Sequence, residues 1–285
     1  MKDKLFKALL FVAAMIVLLL TAGIVYALIG GASEAFREYG FFGFIANSEW
    51  DPRSATEEYG ALSFIVGTLF TAFFALLICL LFSLPVALFT GEYFRGTKIA
   101  GVVSSVVDLL AGIPSIVYGL WGFYILRPIT VDLGINAQGF GIFTASIVLA
   151  IMIIPYASSL SGEFLSMVPN KLKEGAYSLG ATRIEVIQHI SLPVAGSGIV
   201  AAYILALGRA LGETMAVTML IGNTNNIPTG LADTGNAMAS IIANQFGEAD
   251  GLKLSALIAI GLLLFIITGI INFIAKLIMR HLSRV

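Results

Sequence analysis

At 285 residues, 58% hydrophobic and 12% charged, with a mean hydropathy of +0.96, the chain is too apolar for a water-soluble domain and long enough for several membrane crossings. A net charge of −1 offers no basic excess for nucleic acid, so the information lies in how the charges are distributed. The single Cys79 cannot form an internal disulfide, His189 and His281 are too far apart to suggest a metal cluster, and no Walker-type glycine loop is present, so no cofactor is expected in this chain.

Lys2, Lys4 and Lys7 precede an apolar run from about Ala8 to Ile29. A secretory h-region has roughly 7–15 residues, whereas this run reaches the about 20 that cross a bilayer, so a first span is expected. Gly30 to Gly60 carries Glu34, Glu38, Glu49, Asp51, Glu57 and Glu58 against Arg37 and Arg53. It reads as an external, partly ordered loop with turns at Trp50, Pro52, Tyr59 and Gly60, and with Phe41, Phe42 and Phe44 at the membrane interface.

A second span is predicted from about Leu62 to Phe89; it contains Pro85, whose freed carbonyl a neighbouring helix can satisfy. Arg95 and Lys98 mark a return to the inside. The third span, about Ile99 to Leu126, is interrupted by Gly112, Pro114 and Gly119, which predicts a bent or broken helix of the kind that lines a pathway. Arg127 to Gly139 reads as a short external connection, and Phe140 to about Leu160, with Pro155, as the fourth span.

Residues 162–193 then form a cytoplasmic loop whose polar part is Glu174 to Pro193, EGAYSLGATRIEVIQHISLP. Gly180 can take a positive φ and end a short helix, and Thr182 with Glu185 three residues later forms a capping box that starts another. In that second helix Ile184, Ile187 and Ile190 oppose Arg183, Glu185 and Gln188, giving an apolar face suited to a partner. Pro193 sits where a new helix can begin. The segment is read as a docking element.

A fifth span follows from Val194 to about Ile221, then a polar external segment from Gly222 to Leu254 with a short helix over Ala239 to Phe246, then a sixth span from Ser255 to Ile278. Lys2, Lys4, Lys7, Arg95, Lys98, Lys171, Lys173, Arg183, Lys276, Arg280 and Arg284 fall inside, against Arg37, Arg53, Arg127 and Lys253 outside, in accord with the positive-inside rule and with both termini cytoplasmic. There is no internal repeat or low-complexity tract. The expected fold is all-α, a polytopic membrane protein of about six helices, divided into 1–60 (first helix and acidic external segment) and 61–285 (the core).

Three ionisable residues lie well within predicted spans: Asp108, Arg209 and Glu213. An unpaired charge at the bilayer centre costs roughly 2.5–3.5 kcal/mol even on the mildest scale, so such residues usually face a pathway or a partner. Arg209 and Glu213, four apart, share one face if the fifth helix is continuous, and by about 1.5 Å per residue Arg209 falls near mid-membrane. Either they serve a substrate pathway or they form a fixed ion pair between helices. Asp108 is assigned a packing or interhelical hydrogen-bond role.

Glu174, Gly175, Ala176, Gly180, Ile190, Leu192 and Pro193 resemble the EAA-loop pattern of binding-protein-dependent ABC importer permeases, in which the loop inserts into a groove of a cytoplasmic ATPase. LGRALGETMAV, from Leu207 to Val217, resembles the fifth-helix signature of the phosphate-specific permeases of that family. The Met-Ala pair after Glu213-Thr214 and the acidic segment with Trp50-Asp51-Pro52 and Tyr59-Gly60 are closer to the PstC type than to the PstA type. The resemblance implies a type I (MetI-like) importer core in a bacterial or archaeal cytoplasmic membrane. Its implied partners are a PstA-like permease, two PstB-like ATPase subunits that bind the ATP and Mg, an external phosphate-binding protein, membrane lipid and inorganic phosphate. The implied site residues are Arg209 and Glu213 for the pathway and the EAA residues for ATPase coupling, with no catalytic residue. The alternatives are a permease of the same fold for molybdate or sulfate, and an ATP-independent secondary transporter. The docking loop disfavours the latter, as does the lack of any matched pair of broken helices in the sequence.

Overall fold

The computed structural model describes residues 2–52 and 57–282; Arg53 and Arg284 lie outside the described residues. Five helices are long and apolar enough to cross a membrane, and a sixth crossing arises if one broken pair is counted as a single span. The chain is an integral membrane protein. The spans are α1 (Lys2–Gly31), α4 (Leu62–Leu88), the broken pair formed by α5 (Lys98–Ala111) with α6 (Ser115–Trp121) and α7 (Arg127–Asp132), α8 (Ile142–Ser166), α11 (Leu192–Leu211) and α14 (Gly251–Leu282). Between them lie α2 (Ser33–Tyr39), α3 (Phe41–Ala46), the strands β1 (Trp50–Asp51) and β2 (Glu58–Tyr59), α9 (Asn170–Ser178), α10 (Arg183–Val186), α12 (Met215–Leu220) and α13 (Met238–Gln245).

The most buried span, α8, is central and packs against α4, α5, α11 and α12. Lipid offers no hydrophobic drive for helices to associate, so close approach comes from small residues. Ala72, Ala75, Cys79 and Ala87 of α4 and Ala145, Ala150 and Ala157 of α8 are all buried in this contact region. At the end of α4 toward α5 a Cβ on Gly91 would lie 2.3 Å from the Gly162 carbonyl oxygen, so only glycine fits there. Cys79 faces the core, beside a buried hydrogen bond between Ser83 and Tyr203 of α11 at 2.9 Å. By contrast α1 leaves nearly all its apolar surface exposed and meets α14 at its C-terminal end, where Ser255 Oγ donates to the Gly31 carbonyl.

The segments that follow α1 and α12 are better ordered than the sequence suggests. Residues 32–64 and 238–263 share a second core, in which Trp50 lies 4.8 Å from the Tyr59 ring and 5.1 Å from Phe64, with β1 and β2 pairing antiparallel. Trp50 Nε1 donates to Gln245 Oε1, joining the two segments. Phe44 corrects the interfacial expectation: it is fully buried in this core, while Phe41 and Phe42 are exposed. The stretch after α12 caps α8, whose first amides at Ile142 and Phe143 donate to the carbonyls of Asp233 and Leu231. The short helix expected over Ala239 to Phe246 is α13.

Several span limits differ from expectation. The fourth span runs to Ser166, so the loop that follows it starts there and not at residue 162. Arg127 belongs to helix α7, its guanidinium 4.2 Å from the Phe140 ring centroid, and the external connection begins beyond Asp132. The third span is broken at Gly112–Pro114 with a bend of 93°. Pro193 starts no separate helix: α10 continues into α11 through a π turn at Ile187–Ser191. A second π turn, Gly122–Leu126, precedes Pro128 in the same way. In both, one extra residue in the turn relieves the clash of the proline ring with the preceding carbonyls without stopping the helix.

Candidate functional site

The loop from Glu174 to Pro193 has the expected local form. Helix α9 ends at Ser178, Gly180 adopts φ +89°, and Thr182 opens α10 with a complete capping box: the Thr182 hydroxyl accepts from the Glu185 amide while the Glu185 carboxylate accepts from the Thr182 amide at 2.7 Å. Those hydrogen bonds hold the Glu185 carboxyl below its ordinary value. At the apex Leu179 is 90% exposed and Ile184 is 63% exposed, with Leu172 and Tyr177 also open. Among the described residues almost nothing covers Leu179. The expected single face of isoleucines is split, because Val186 is the buried residue of that turn and Ile187 and Ile190 are only half-buried. Among the motif residues, Glu174 supplies the carbonyl that accepts from Ser178 Oγ, and Gly175 stands in helix α9 with open space around it.

What holds this loop escaped the sequence reading. The chain between α4 and α5 begins with a third π turn, Phe89–Tyr93. Glu92 in that turn pairs with Lys173 of α9 at 2.5 Å, and Arg183 of α10 stacks on the Tyr93 ring at 3.8 Å and donates to the Tyr93 carbonyl. Lys173 and Arg183 register in the sequence only as positive charges inside; their partners lie 81 and 90 positions away, beyond the reach of any local pattern.

Within the membrane the fifth span is broken too. Helix α11 ends at Leu211, Gly212 to Thr214 are non-helical, and α12 starts at Met215. Arg209 and Glu213 therefore do not share a helical face, which corrects that expectation, and no ion pair joins them among the described residues. Glu213 Oε1 instead accepts from the Ala216 amide in the first turn of α12, at 3.2 Å. Arg209, one turn before the break, is exposed on this chain with its guanidinium 5.8 Å from the Tyr156 ring. Tyr118 of α6 lies within its electrostatic reach.

Two spans are thus interrupted in the structure, the third by a 93° bend and the fifth at Gly212–Thr214. The halves beyond each break, α6 and α12, pack together so closely that a Cβ on Gly119 would lie 3.1 Å from the Ala216 Cα. The breaks are thus neighbours, and the Arg209 cation sits beside them. Asp108, one turn before the first break, accepts from Ser159 of α8 at 3.4 Å. Below it, toward the loop, a cavity of about 460 Å³ between α4, α5 and α8 is lined by Thr97, Ser104, Ser158, Ser159, Glu163 and Ser166. Ser159 joins the two features, since its hydroxyl donates to Asp108 and also lines the cavity.

Comparison with known proteins agrees with this arrangement. Residues 83–284 match the family described as binding-protein-dependent transport system inner membrane component. The phosphate transport system permease protein PstC of Haemophilus influenzae is 39% identical over 99% of this chain and 94% of its own length. The probable phosphate transport system permease protein PstC of Methanocaldococcus jannaschii is 36% identical over 85% of this chain and 82% of its own. Among solved structures, an inward-facing MetNI methionine ABC transporter chain superimposes with a TM-score of 0.61 at 23% identity, over 77% of this chain and 94% of that one, a likeness of fold. With the matched region spanning α8, both breaks and the docking loop, the chain belongs to the family of binding-protein-dependent transport system inner membrane components, on its PstC-type branch.

Proposed function

We propose that this chain is a permease subunit of an ATP-driven phosphate importer, forming half of the translocation pathway with a PstA-like sister permease. The observation that carries the reading is the juxtaposition of two broken helices with an arginine that pairs with no carboxylate among the described residues. A guanidinium stays charged and offers a planar fork of donors to an oxyanion, and full-length relatives carry the name of phosphate permeases. Glu213, now spent on the α12 amide, is close enough in sequence to take up Arg209 between passages of the anion.

The chain performs no chemistry. Two PstB-like ATPase subunits bind ATP and Mg and grip the apolar rim of Leu179 and Ile184; an external phosphate-binding protein docks on the segments 30–60 and 222–254. Both termini are cytoplasmic. An impermeant thiol reagent should label a cysteine placed at Asn225 but not one at Ser178 in intact cells, and the reverse pattern would overturn this topology. Uptake of labelled phosphate, sulfate and molybdate into liposomes holding the assembled complex tests the substrate. Phosphate should be carried in preference, and preference for either other anion would replace the reading by the same fold serving another oxyanion.

A further inference from the structure

We infer that the π turn at Phe89–Tyr93 is the transmission element between the docking loop and the membrane helices, with Glu92 and Tyr93 as its two attachment points. The inference rests on the proposed docking of an ATPase at this loop.

Three observations carry it. The first is that two consecutive residues of one turn hold the two short helices on opposite sides of the glycine hinge: Glu92 holds α9 through Lys173, and Tyr93 holds α10 through Arg183. Without these contacts the helices meet at Gly180, whose surroundings are open. A push on the apex would then bend the hinge and go no further. The second is burial. The Glu92 and Lys173 side chains are only 6% and 11% exposed, so drawing them apart strands two charges away from water, and the pair moves as a unit. The third is what the turn touches next. Gly91 lies against Gly162 of α8 at a separation that only glycine permits, and the turn continues α4 without a break. A displacement of the loop therefore reaches α4 and α8, the two helices with the largest mutual contact in the bundle. A π turn carries one residue more than the α-helix needs, so it can be tightened or shifted along the helix at little cost in hydrogen bonds.

The test uses the whole complex in liposomes: this chain, its sister permease, the ATPase and the binding protein. Retained ATPase, ATP hydrolysis and labelled phosphate uptake are measured for Glu92→Gln, Lys173→Gln and the exchange Glu92→Lys with Lys173→Glu. The single variants should keep their ATPase and hydrolyse ATP, but phosphate moved per ATP should fall by about tenfold, and the exchange should restore most of it. A mere staple would lower the yield of complex and leave phosphate per ATP unchanged in what assembles. That result overturns the inference, as does a fall that the exchange fails to rescue, or loss of the ATPase from the single variants. The docking reading is judged separately by Leu179→Asp, which should release the ATPase; if it does not, that reading fails, whereas normal coupling in Glu92→Gln with Leu179→Asp defective rejects the transmission role alone.

Discussion

Arg183 on the docking loop and Arg209 at the break of the fifth span both lie against a tyrosine, 3.8 Å from the Tyr93 ring and 5.8 Å from the Tyr156 ring. There the likeness ends. Arg183 also donates to a backbone carbonyl and fixes α10 to the end of α4, in a region where water would solvate it anyway. Arg209 has only the looser ring contact, and the carboxylate four residues on is used to cap α12. Both arginines are exposed on this chain, yet Arg183 has a firm partner and Arg209, among the described residues, only the ring. An arginine left open in this way is available to a group from outside the chain, which a charge within a bilayer would require.

Removing the open arginine should produce the largest effect. Arg209→Gln should lower phosphate uptake on the order of a hundredfold, the loss expected when charged hydrogen bonds to a desolvated anion disappear, with complex assembly and ATP hydrolysis retained. Arg209→Lys keeps the charge but loses the fork and should also transport poorly. If Arg209 and Glu213 instead pair as a fixed lock in another state, the double variant Arg209→Gln with Glu213→Gln should regain transport, because neither charge is then stranded. Uptake by the two single variants and the double, each normalised to assembled complex, decides between them, and recovery in the double would sink the pathway role of Arg209.

A smaller effect is expected at the hinge of the docking loop. Gly180 has φ +89° and nothing within 4 Å of where a Cβ would stand, so Gly180→Val meets backbone strain alone, of about 1–2 kcal/mol. ATPase retention and phosphate per ATP should fall together, with the fold intact. Gly175 is a sharper control: it sits in α9 with open space and no unusual φ, so Gly175→Ala should strengthen that helix by about 0.5–1 kcal/mol. If Gly175→Ala nonetheless weakens ATPase binding, its place in the motif reflects close approach of the partner and not the conformation of this chain.

The contrast between the arginines also shows what the sequence makes legible. The capping box at Thr182 and Glu185 and the positive φ of Gly180 are decided within a few residues, and both are present as read. The break at Gly112–Pro114 is legible because proline cannot donate the amide that a helix interior requires. The break at Gly212–Thr214 contains no proline, and a lone glycine is tolerated in a helix, so the four-residue spacing of Arg209 and Glu213 reads as one continuous face. Packing of α6 on α12 settles the matter, and packing is not written locally. Phe44 fails for the same reason: only the fold of residues 32–64 against 238–263 turns an interfacial aromatic into a core one.

The smallest predicted effect separates the cap of α10 from its attachment through Arg183. The Glu185 carboxylate accepts from both the amide and the hydroxyl of Thr182, which lowers its affinity for a proton in the folded loop relative to the unfolded chain. A depressed carboxylate contributes its full share at pH values above the unfolded value, and that share is lost as pH falls through the folded value. The capping box should therefore be intact at neutral pH and open progressively as pH falls below the ordinary carboxylate range, while the contact of Arg183 with Tyr93, which involves no carboxylate, holds. Hydrogen exchange at the Thr182 and Glu185 amides, corrected for intrinsic rates, should accelerate on acidification in the wild-type complex. In Glu185→Gln, which keeps an acceptor but has no proton to gain, the same amides should show no such pH dependence. If instead the cap and the Arg183 contact loosen together on acidification, the helix is held mainly by its cap and the attachment of Arg183 to Tyr93 is weaker than its geometry indicates. Loosening confined to the amides at 182 and 185 would leave Arg183 as the fixed point about which the docking helix turns.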